Sequence, residues 1–204
     1  MNIYRCVRFV SLAVAVFATT NLASGQTANL QRRITQPIDE KSLTVLHGNT
    51  HPMAQATFDR GEAPADLPMD RMLLVLKHSD AQETALKNLL MEQQVQDSAN
   101  FHHWLTPEEF GTQFGPSEAD VQAVTAWLGS HGFTVQRVSN GRHVIEFSGS
   151  ALQVQSTFHT AIHKYQVNGK DHWANNADPQ IPTALASVVA GVKSLHNFRA
   201  RPAA

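Results

Sequence analysis

The sequence predicts an α+β fold: one antiparallel β-sheet with helices on one face, preceded by an extended N-terminal lead-in. Three observations predict it. Short apolar runs typical of strands alternate with helix start signals, two Asn-Gly dipeptides mark tight turns, and the order is strand, helices, strand, strand, helix, strand. With 204 residues, 42% of them hydrophobic, the chain has material for one packed domain and an appendage.

The first strand and the first helix follow the lead-in. Residues 73–76 are a short apolar run between charges, which is typical of a buried strand. This run does not alternate with polar residues, so its second face must be covered, either by other segments of this chain or by a partner protein. Ser79 and Gln82 then have the spacing of a capping box. One face of the helix that follows consists of Leu86, Leu89, Leu90 and Gln93.

Two further helices are predicted before the first hairpin. Thr106 and Pro107 form a helix start, and Gly111 and Gly115-Pro116 limit the predicted element to a short turn. Ser117 begins the next helix, and Gly132 is its predicted end.

The remaining elements surround two turns. The predicted strands are 133–138, 143–147 and 161–167. Asn140-Gly141 joins the first two as a hairpin, Ser150 begins a helix before the third, and Asn168-Gly169 turns the third strand back. A short helix at 183–190 and a strand at 192–195 complete the chain. With 161–167 as its fourth strand, the sheet has the split βαβ order.

Residues 1–25 differ in composition from the rest of the chain. Two arginines precede an apolar run at 9–18, and the small residues Ala23 and Gly25 precede a cut before Gln26. This layout is typical of a secretory signal peptide, and the run is too short for a bilayer span. The mature protein is therefore expected to be secreted, periplasmic or extracellular, with no membrane attachment.

Composition excludes several classes of function. The formal charge of −1 offers no basic excess for a nucleic-acid backbone, so no nucleic-acid partner is expected. The single cysteine, Cys6, lies inside the predicted signal peptide, which leaves the mature chain without disulfides or thiolate sites. Histidine is abundant, with eleven residues.

Three groups of residues resemble active sites without meeting their requirements. Ser148 and Ser150 lack the flanking glycines of a nucleophile elbow, and Ser150 is better interpreted as an N-cap. His159 and His163 have metal-binding spacing, but a predicted strand begins between them and no Glu completes the site. Glu108 and Glu109 are adjacent, so on a helix they do not cooperate. By its residues alone, the chain is predicted not to be an enzyme.

The segment 100–111 reads NFHHWLTPEEFG and resembles the YHxWLTPxxF signature of the activation domain of kumamolisin-like peptidases, the sedolisins, which are secreted serine-carboxyl proteases of acid environments. Phe101 stands where the signature has Tyr. The signature positions that match are Trp104, Leu105, Thr106, Pro107 and Phe110. Further blocks match at 114–117, 127–128 with 132–133, 147–150, 158–160 and 179–182, and the resemblance runs from Ile34 to Phe198.

The resemblance implies a ferredoxin-like βαββαβ prodomain, made N-terminal to a subtilisin-like catalytic domain. Such a prodomain assists folding of the peptidase, caps it through its sheet face and runs its C-terminal tail through the substrate cleft until acid removes it. The implied partner is a cognate sedolisin catalytic domain. The family's catalytic Glu, Asp and Ser and its calcium belong to that domain, so no cofactor is expected in this chain.

The expected organisation is a signal peptide at 1–25, a lead-in at 26–69, the activation domain at 70–196 and a tail at 197–204. Residues end at Ala204 before a catalytic domain begins, which fits a fragment of a precursor, a truncated product or a free-standing inhibitor. Two alternatives to a propeptide stay open: a secreted inhibitor acting in trans, and a His-rich metal-binding periplasmic protein.

Two sets of residues are predicted to carry the function. The first is a set of acid sensors, because histidine titrates between neutral and acid compartments. Its members are His102, His103, His159 and His163. The second is an extended inhibitory tail before Pro202, suited to a cleft that binds peptide by strand addition. Its members are His196, Asn197, Phe198 and Arg199.

Overall fold

The computed structural model describes residues 30–198, so the predicted signal peptide and Arg199 lie outside the described residues. This part of the chain is α+β, as predicted. Its helices are α1 (Asp80–Glu92), α2 (Pro107–Phe114), α3 (Glu118–Ser130) and α4 (Ala151–Phe158). Its strands are β1 (Leu43–Val45), β2 (Asp59–Glu62), β3 (Pro68–Leu76), β4 (Thr134–Val138), β5 (Val144–Ser150), β6 (Ile162–Val167), β7 (Lys170–Asn175), β8 (Gln180–Pro182) and β9 (Val189–Lys193). Within residues 30–198 no helix is both long and apolar enough for a bilayer.

The largest sheet has four antiparallel strands in the order β4-β5-β3-β9. The expectation that residues 161–167 supply its fourth strand is wrong. That segment is a strand, β6, but it lies in a separate sheet with the order β2-β6-β7. The edge position beside β3 belongs to β9, where Leu74 is paired with Val192. Strand type was readable from the sequence, but sheet membership depends on pairing partners that are distant in the chain.

The core lies between this sheet and the helices α3 and α4. On β3, Met72 and Leu74 are fully buried, and on β5 Ile145 and Phe147 are fully buried. The ring of Phe147 meets that of Phe158 from α4, with centroids 6.0 Å apart. Burial of apolar side chains of this size, each contributing about 1.5–3 kcal/mol, is the main force that holds α3 and α4 on the sheet.

The lead-in is part of the same packed unit. Ile34 and Leu46 are buried with the core, and the two strands β1 and β2 pair with β8 and β6 respectively. The buried carboxylate of Asp120 in α3 accepts hydrogen bonds from the backbone amides of Arg33 and Ile34 at 2.8–3.0 Å. The segment 30–69 therefore contributes buried side chains and strands, and β3 already begins at Pro68, before the expected boundary at residue 70.

The predicted helix starts are confirmed in detail. The side chains of Ser79, Thr106 and Ser150 each accept a hydrogen bond from the backbone amide of the third helical residue. In each case the side chain of that third residue accepts a hydrogen bond from the backbone amide of the capping residue. The prediction that Gly111 limits α2 to a short turn is wrong, because the helix continues to Phe114 and ends at Gly115, the second predicted stop. A Cβ at residue 111 would collide with the backbone carbonyl of Asn140, so this glycine is explained by close packing rather than by helix termination.

The predicted C-terminal helix at 183–190 is also wrong in extent. A 3₁₀ turn occupies Thr183–Ser187, and the chain then enters β9, which contains Gly191. A Cβ at Gly191 would overlap the side chain of Asn49, whose amide oxygen accepts a hydrogen bond from the backbone of Val192 at 2.8 Å. This glycine therefore allows a side chain from the lead-in to pack against the edge strand.

Candidate functional site

One face of the four-stranded sheet is turned away from the core. Leu73 and Val75 of β3 are half-buried on this face, opposite the fully buried Met72 and Leu74. Val75 is paired with the half-buried Val144 of β5, so the three side chains form an apolar strip across the centre of the face. Here "open face" means Leu73, Val75, Val144 and their charged neighbours Arg71, Arg137 and Glu146. The lack of alternation in the first strand reflects this strip.

The charged residues of the open face form a small network. The carboxylate of Glu146 accepts from Arg71 Nε at 3.0 Å and lies 3.2 Å from Arg137 Nη2. Hydrogen bonds from Arg71 and then Arg137 lower the pKa of Glu146, so it stays ionised. Both arginines are largely exposed while Glu146 is not. The open face therefore presents two guanidinium groups beside an apolar strip.

A register shift in β3 places one of these arginines. Between Met69 and Met72 the pairing with β5 slips, and Arg71 adopts a left-handed backbone with φ of 54°. Such a bulge re-aims a side chain, at the cost of backbone strain for a residue other than glycine. Here it allows Arg71 to reach Glu146.

The signature segment divides into a half-buried and an exposed part. Phe110 packs against Phe114, with ring centroids 5.5 Å apart, and against His143 at 5.2 Å. Thr106 caps α2 with Pro107 at its first position, and Leu105 is half-buried. Trp104, by contrast, is 64% exposed. The signature is thus partly structural, and Trp104 is its large exposed apolar member.

The predicted acid sensors lie on different elements. His102 and His103 are exposed on the loop before α2, and the ring of His102 stacks on Phe101 with centroids 3.8 Å apart. His159 is exposed at the C-cap of α4, and His163 is on β6. The sequence prediction that the last two do not share a helix is confirmed.

His163 is the one of these four with a carboxylate partner. Its Nδ1 lies 2.8 Å from Oδ2 of Asp59 on β2. Burial of Asp59 opposes its ionisation, but hydrogen bonds from the Gly61 amide and from His163 outweigh burial and lower the pKa of Asp59. The contact therefore joins a side chain of β6 to a side chain of the neighbouring strand β2.

The described part of the predicted tail is packed against the domain. Residues 195–198, here called the exit segment, run antiparallel to β7, with a bridge between Ala174 and His196. The amide of Asn175 donates to the Leu195 carbonyl and that of Asn197 donates to the Trp173 carbonyl, each at 3.1 Å. In return, Oδ1 of Asn197 accepts from the Trp173 amide at 2.9 Å. Strand addition, which the sequence suggested for a peptidase cleft, occurs here with β7 of the same chain.

A cluster of rings holds the end of the exit segment, and the sequence did not predict it. The ring of Phe198 lies between those of His51 and His172, stacked on them with centroid distances of 4.3 and 4.2 Å and interplanar angles of 7° and 16°. His196 lies beside them, 4.5 Å from His51. These four residues are here called the His–Phe clamp. The Asn-Gly turn places His172 on β7, but no local signal joins it to residue 51.

Among residues 30–198, no group of three or more His, Cys, Asp or Glu side chains has the geometry of a metal site. In the same part of the chain, Ser150 is engaged as the N-cap of α4, where its hydroxyl accepts from the Gln153 amide. The features that offer themselves for recognition are therefore the open face, Trp104 and the exit segment.

Comparison with known proteins gives a consistent result. The sequence model of a family described as "Pro-kumamolisin, activation domain" matches residues 55–198. The chain is 40% identical over 121 residues to sedolisin of Pseudomonas sp. (strain 101), which is 59% of this chain and 21% of that protein. It is 34% identical over 134 residues to xanthomonalisin of Xanthomonas sp. (strain T-22), 65% of this chain and 16% of that protein. With tripeptidyl-peptidase sed1 of Aspergillus fumigatus it shares 34% identity over 91 residues, 43% of this chain and 14% of that protein. The matched part of the chain thus spans about a fifth or less of the length of these relatives.

Proposed function

The chain belongs to the family of pro-kumamolisin activation domains, and on this premise we propose that it assists the folding of a sedolisin-type serine peptidase, inhibits it, and releases it in acid. The observation that carries the proposal is the family match, which extends over residues 55–198 and so over both main sheets. The implied partner is a sedolisin catalytic domain, and no cofactor is assigned to this chain.

The open face suits the role of a docking surface. An apolar centre flanked by arginines matches the general anatomy of protein interfaces, where apolar side chains and arginine are enriched. Leu73 lines one cleft together with His196 and Phe198, so the open face and the exit segment lie side by side. A single peptidase surface would therefore contact the sheet and receive the chain that leaves it.

Acid release is proposed to act through histidine charge. Full protonation adds one positive charge at each of the eleven histidines, which changes the pattern that a partner meets at neutral pH. The exposed His102, His103 and His159 remain candidates for this effect, together with His163. His163 differs from the other three in being half-buried and in contact with Asp59.

Secretion is proposed as well, from the signal-like residues 1–25. Mass spectrometry of the protein from the culture medium or periplasm tests it. A mature N-terminus at Gln26 is expected, and an uncleaved Met1 on a cytoplasmic product contradicts it.

Inhibition of a mature sedolisin-type peptidase tests the proposed function directly. The inhibition constant would be measured with a peptide substrate, at pH 6.5 and at pH 4, for the wild-type chain and for Val75→Glu. A carboxylate in the apolar strip is expected to raise the inhibition constant at pH 6.5 by at least about tenfold, equivalent to about 1.4 kcal/mol. Wild-type inhibition is expected to weaken at pH 4.

Leu152→Glu is the matched control, because Leu152 is an apolar residue on α4 with 55% exposure. Circular dichroism and urea unfolding of both variants separate lost folding from lost contact. Equal inhibition by Val75→Glu and Leu152→Glu rejects the open face as the docking surface. No inhibition by the wild-type chain at either pH rejects the inhibitory function, whether in cis or in trans.

A further inference from the structure

The exit segment is held by two kinds of contact that act on successive residues. Backbone pairing with β7 holds residues 195–197, and ring stacking in the His–Phe clamp holds Phe198. His51 comes from the loop after β1, whereas His172 belongs to β7. The clamp therefore ties the end of the described chain to two elements that are far apart in sequence.

The clamp is arranged for neutral imidazoles. Nδ1 of His51 accepts a hydrogen bond from the Met53 amide at 3.1 Å, which requires that this nitrogen carry no proton. Within residues 30–198, the buried Nδ1 atoms of His172 and His196 have no hydrogen-bond partner. Burial lowers the pKa of His51, and neighbouring His172 adds to the effect. Burial likewise lowers the pKa of His196, with His51 as the second cause.

We propose that the His–Phe clamp is a pH-dependent latch: it fixes the exit of the chain beside the open face at neutral pH and releases residues 195–198 when its histidines are protonated. The inference rests on the proposed function for its biological meaning, since the released segment is the one that leads away from the open face, the proposed docking surface. Its physical basis is independent, because it lies wholly in contacts within this chain.

The groups around the clamp do not compensate a positive charge on it. From β3 the cleft residues are Asp70 and Arg71, from β9 Lys193, from β2 Arg60, and from the hairpin β6–β7 Lys164, Tyr165 and Asp171. Beside this hairpin, Asp59 is engaged with His163. Asp178, next to the loop that carries His51, is already occupied by the amides of Gly48 and Asn49 and the hydroxyl of Thr50. Among these neighbours, the cationic side chains are at least as numerous as the carboxylates that are not already engaged in the hydrogen bonds just named.

The first proton is expected to have a small effect and the later ones a large effect. A single imidazolium stacked on Phe198 retains a favourable cation–π contact. A second proton places like charges on rings only 4.5 Å apart, at His51 and His196, or on both sides of Phe198. When residues 195–198 leave the clamp, its rings are no longer stacked and buried. Release is therefore coupled to the uptake of several protons at once. The transition should therefore be steeper with pH than the titration of one histidine.

Hydrogen exchange of single amides in the full chain tests the latch without any peptidase. The amides of Asn175 and Asn197 report the pairing, because each donates across it. After correction for the intrinsic effect of pH, their protection is expected to fall at least tenfold between pH 7.5 and pH 5. Amides of the β6–β7 pairing, such as that of Tyr165, should keep their protection over this range. A parallel fall at Tyr165, or no selective fall at Asn175 and Asn197, overturns the proposal.

His172→Phe sharpens the test, because it keeps an aromatic ring against Phe198 and removes its charge. In this variant the fall in protection is expected to be smaller and less steep with pH, because the clamp has one imidazole fewer against Phe198. His103→Phe is the control, since it makes the same substitution at an exposed loop position. An unchanged pH profile in His172→Phe also overturns the latch. Because the measurement needs no peptidase, it fails or succeeds independently of the inhibition assay.

Discussion

Two of the places where histidines meet aromatic rings in this domain hold different parts of the chain together. In the first, here called the hairpin cluster, His78 and His143 lie 4.3 Å apart between ring centroids and pack against Phe110. Nδ1 of His78 also lies 2.9 Å from the carbonyl of Phe114. The hairpin cluster joins the start of α1, the helix α2 and the β4–β5 hairpin, so it is internal to the fold.

The His–Phe clamp contains the same kinds of residues but holds a chain end. Its contacts can be lost without separating any helix from the four-stranded sheet, because Phe198 lies beyond the last strand. The comparison teaches that the consequence of protonating a histidine depends on what its ring supports. In the hairpin cluster, charge opposes folding of the whole domain. In the clamp, it opposes only the docking of the exit segment.

The largest difference between the hairpin cluster and the clamp is expected when the central phenylalanine of each is truncated to alanine. Phe110→Ala is expected to lower the free energy of unfolding by about 2–3 kcal/mol, because it opens a gap under α2. Phe198→Ala should lower it by less than about 1 kcal/mol, because the segment it anchors can open locally. Urea unfolding at pH 7 measures both. Equal losses would show that the exit segment folds and unfolds with the core.

The pH dependence of global stability should come from the hairpin cluster. Burial, and then the neighbouring His78, lower the pKa of His143 to about 4. In the unfolded chain this residue takes up a proton near its ordinary pKa of about 6.5. Its contribution to stability is therefore fully present above pH 6.5, declines as the pH falls, and is gone below pH 4. After allowance for partial exposure of the ring, the loss is about 2 kcal/mol.

His143→Leu removes this titration and keeps an apolar side chain beside Phe110. Urea unfolding at pH 7 and pH 4.5 should show a smaller acid loss for this variant than for the wild type. His131→Leu makes the same exchange elsewhere, at the end of α3. If His143→Leu and the wild type lose the same stability between the two pH values, other groups cause the acid sensitivity.

Local sequence signals predicted most helices and strands of this fold. The two Asn-Gly turns show the limit of such signals. At Asn168-Gly169 both residues have positive φ, 53° and 72°, as a two-residue hairpin requires. At Asn140-Gly141 the positive φ belongs to Arg142 instead, at 58°. There the turn packs under α2 and against Phe110, whose Cδ1 would lie 3.6 Å from a Cβ atom placed on Gly141. Tertiary contact changed the turn, and the sequence of the turn alone does not contain that contact.

The candidate site shows the same limit. The apolar strip of the open face was visible in residues 73–76, because alternation was missing. The His–Phe clamp was not visible, although Phe198 and His196 were singled out as a tail. Its partners are His51 and His172, and only the pairing of β6 with both β2 and β7, together with the course of the lead-in, brings them together. Contacts between residues this far apart in the sequence leave no periodic pattern in it.

The smallest expected effect separates backbone pairing from ring stacking at the exit segment. Asn197→Ala removes the side-chain oxygen that accepts from the Trp173 amide at 2.9 Å, but leaves the backbone bond and the rings in place. One such bond contributes about 1 kcal/mol. Protection of the Asn175 amide should therefore fall about fivefold at pH 7, with the free energy of global unfolding unchanged within about 0.5 kcal/mol. Asn100→Ala, in the loop before α2, is the control. If Asn197→Ala leaves the protection of Asn175 unchanged, stacking of Phe198 alone holds the segment, and the pH response must come from the rings.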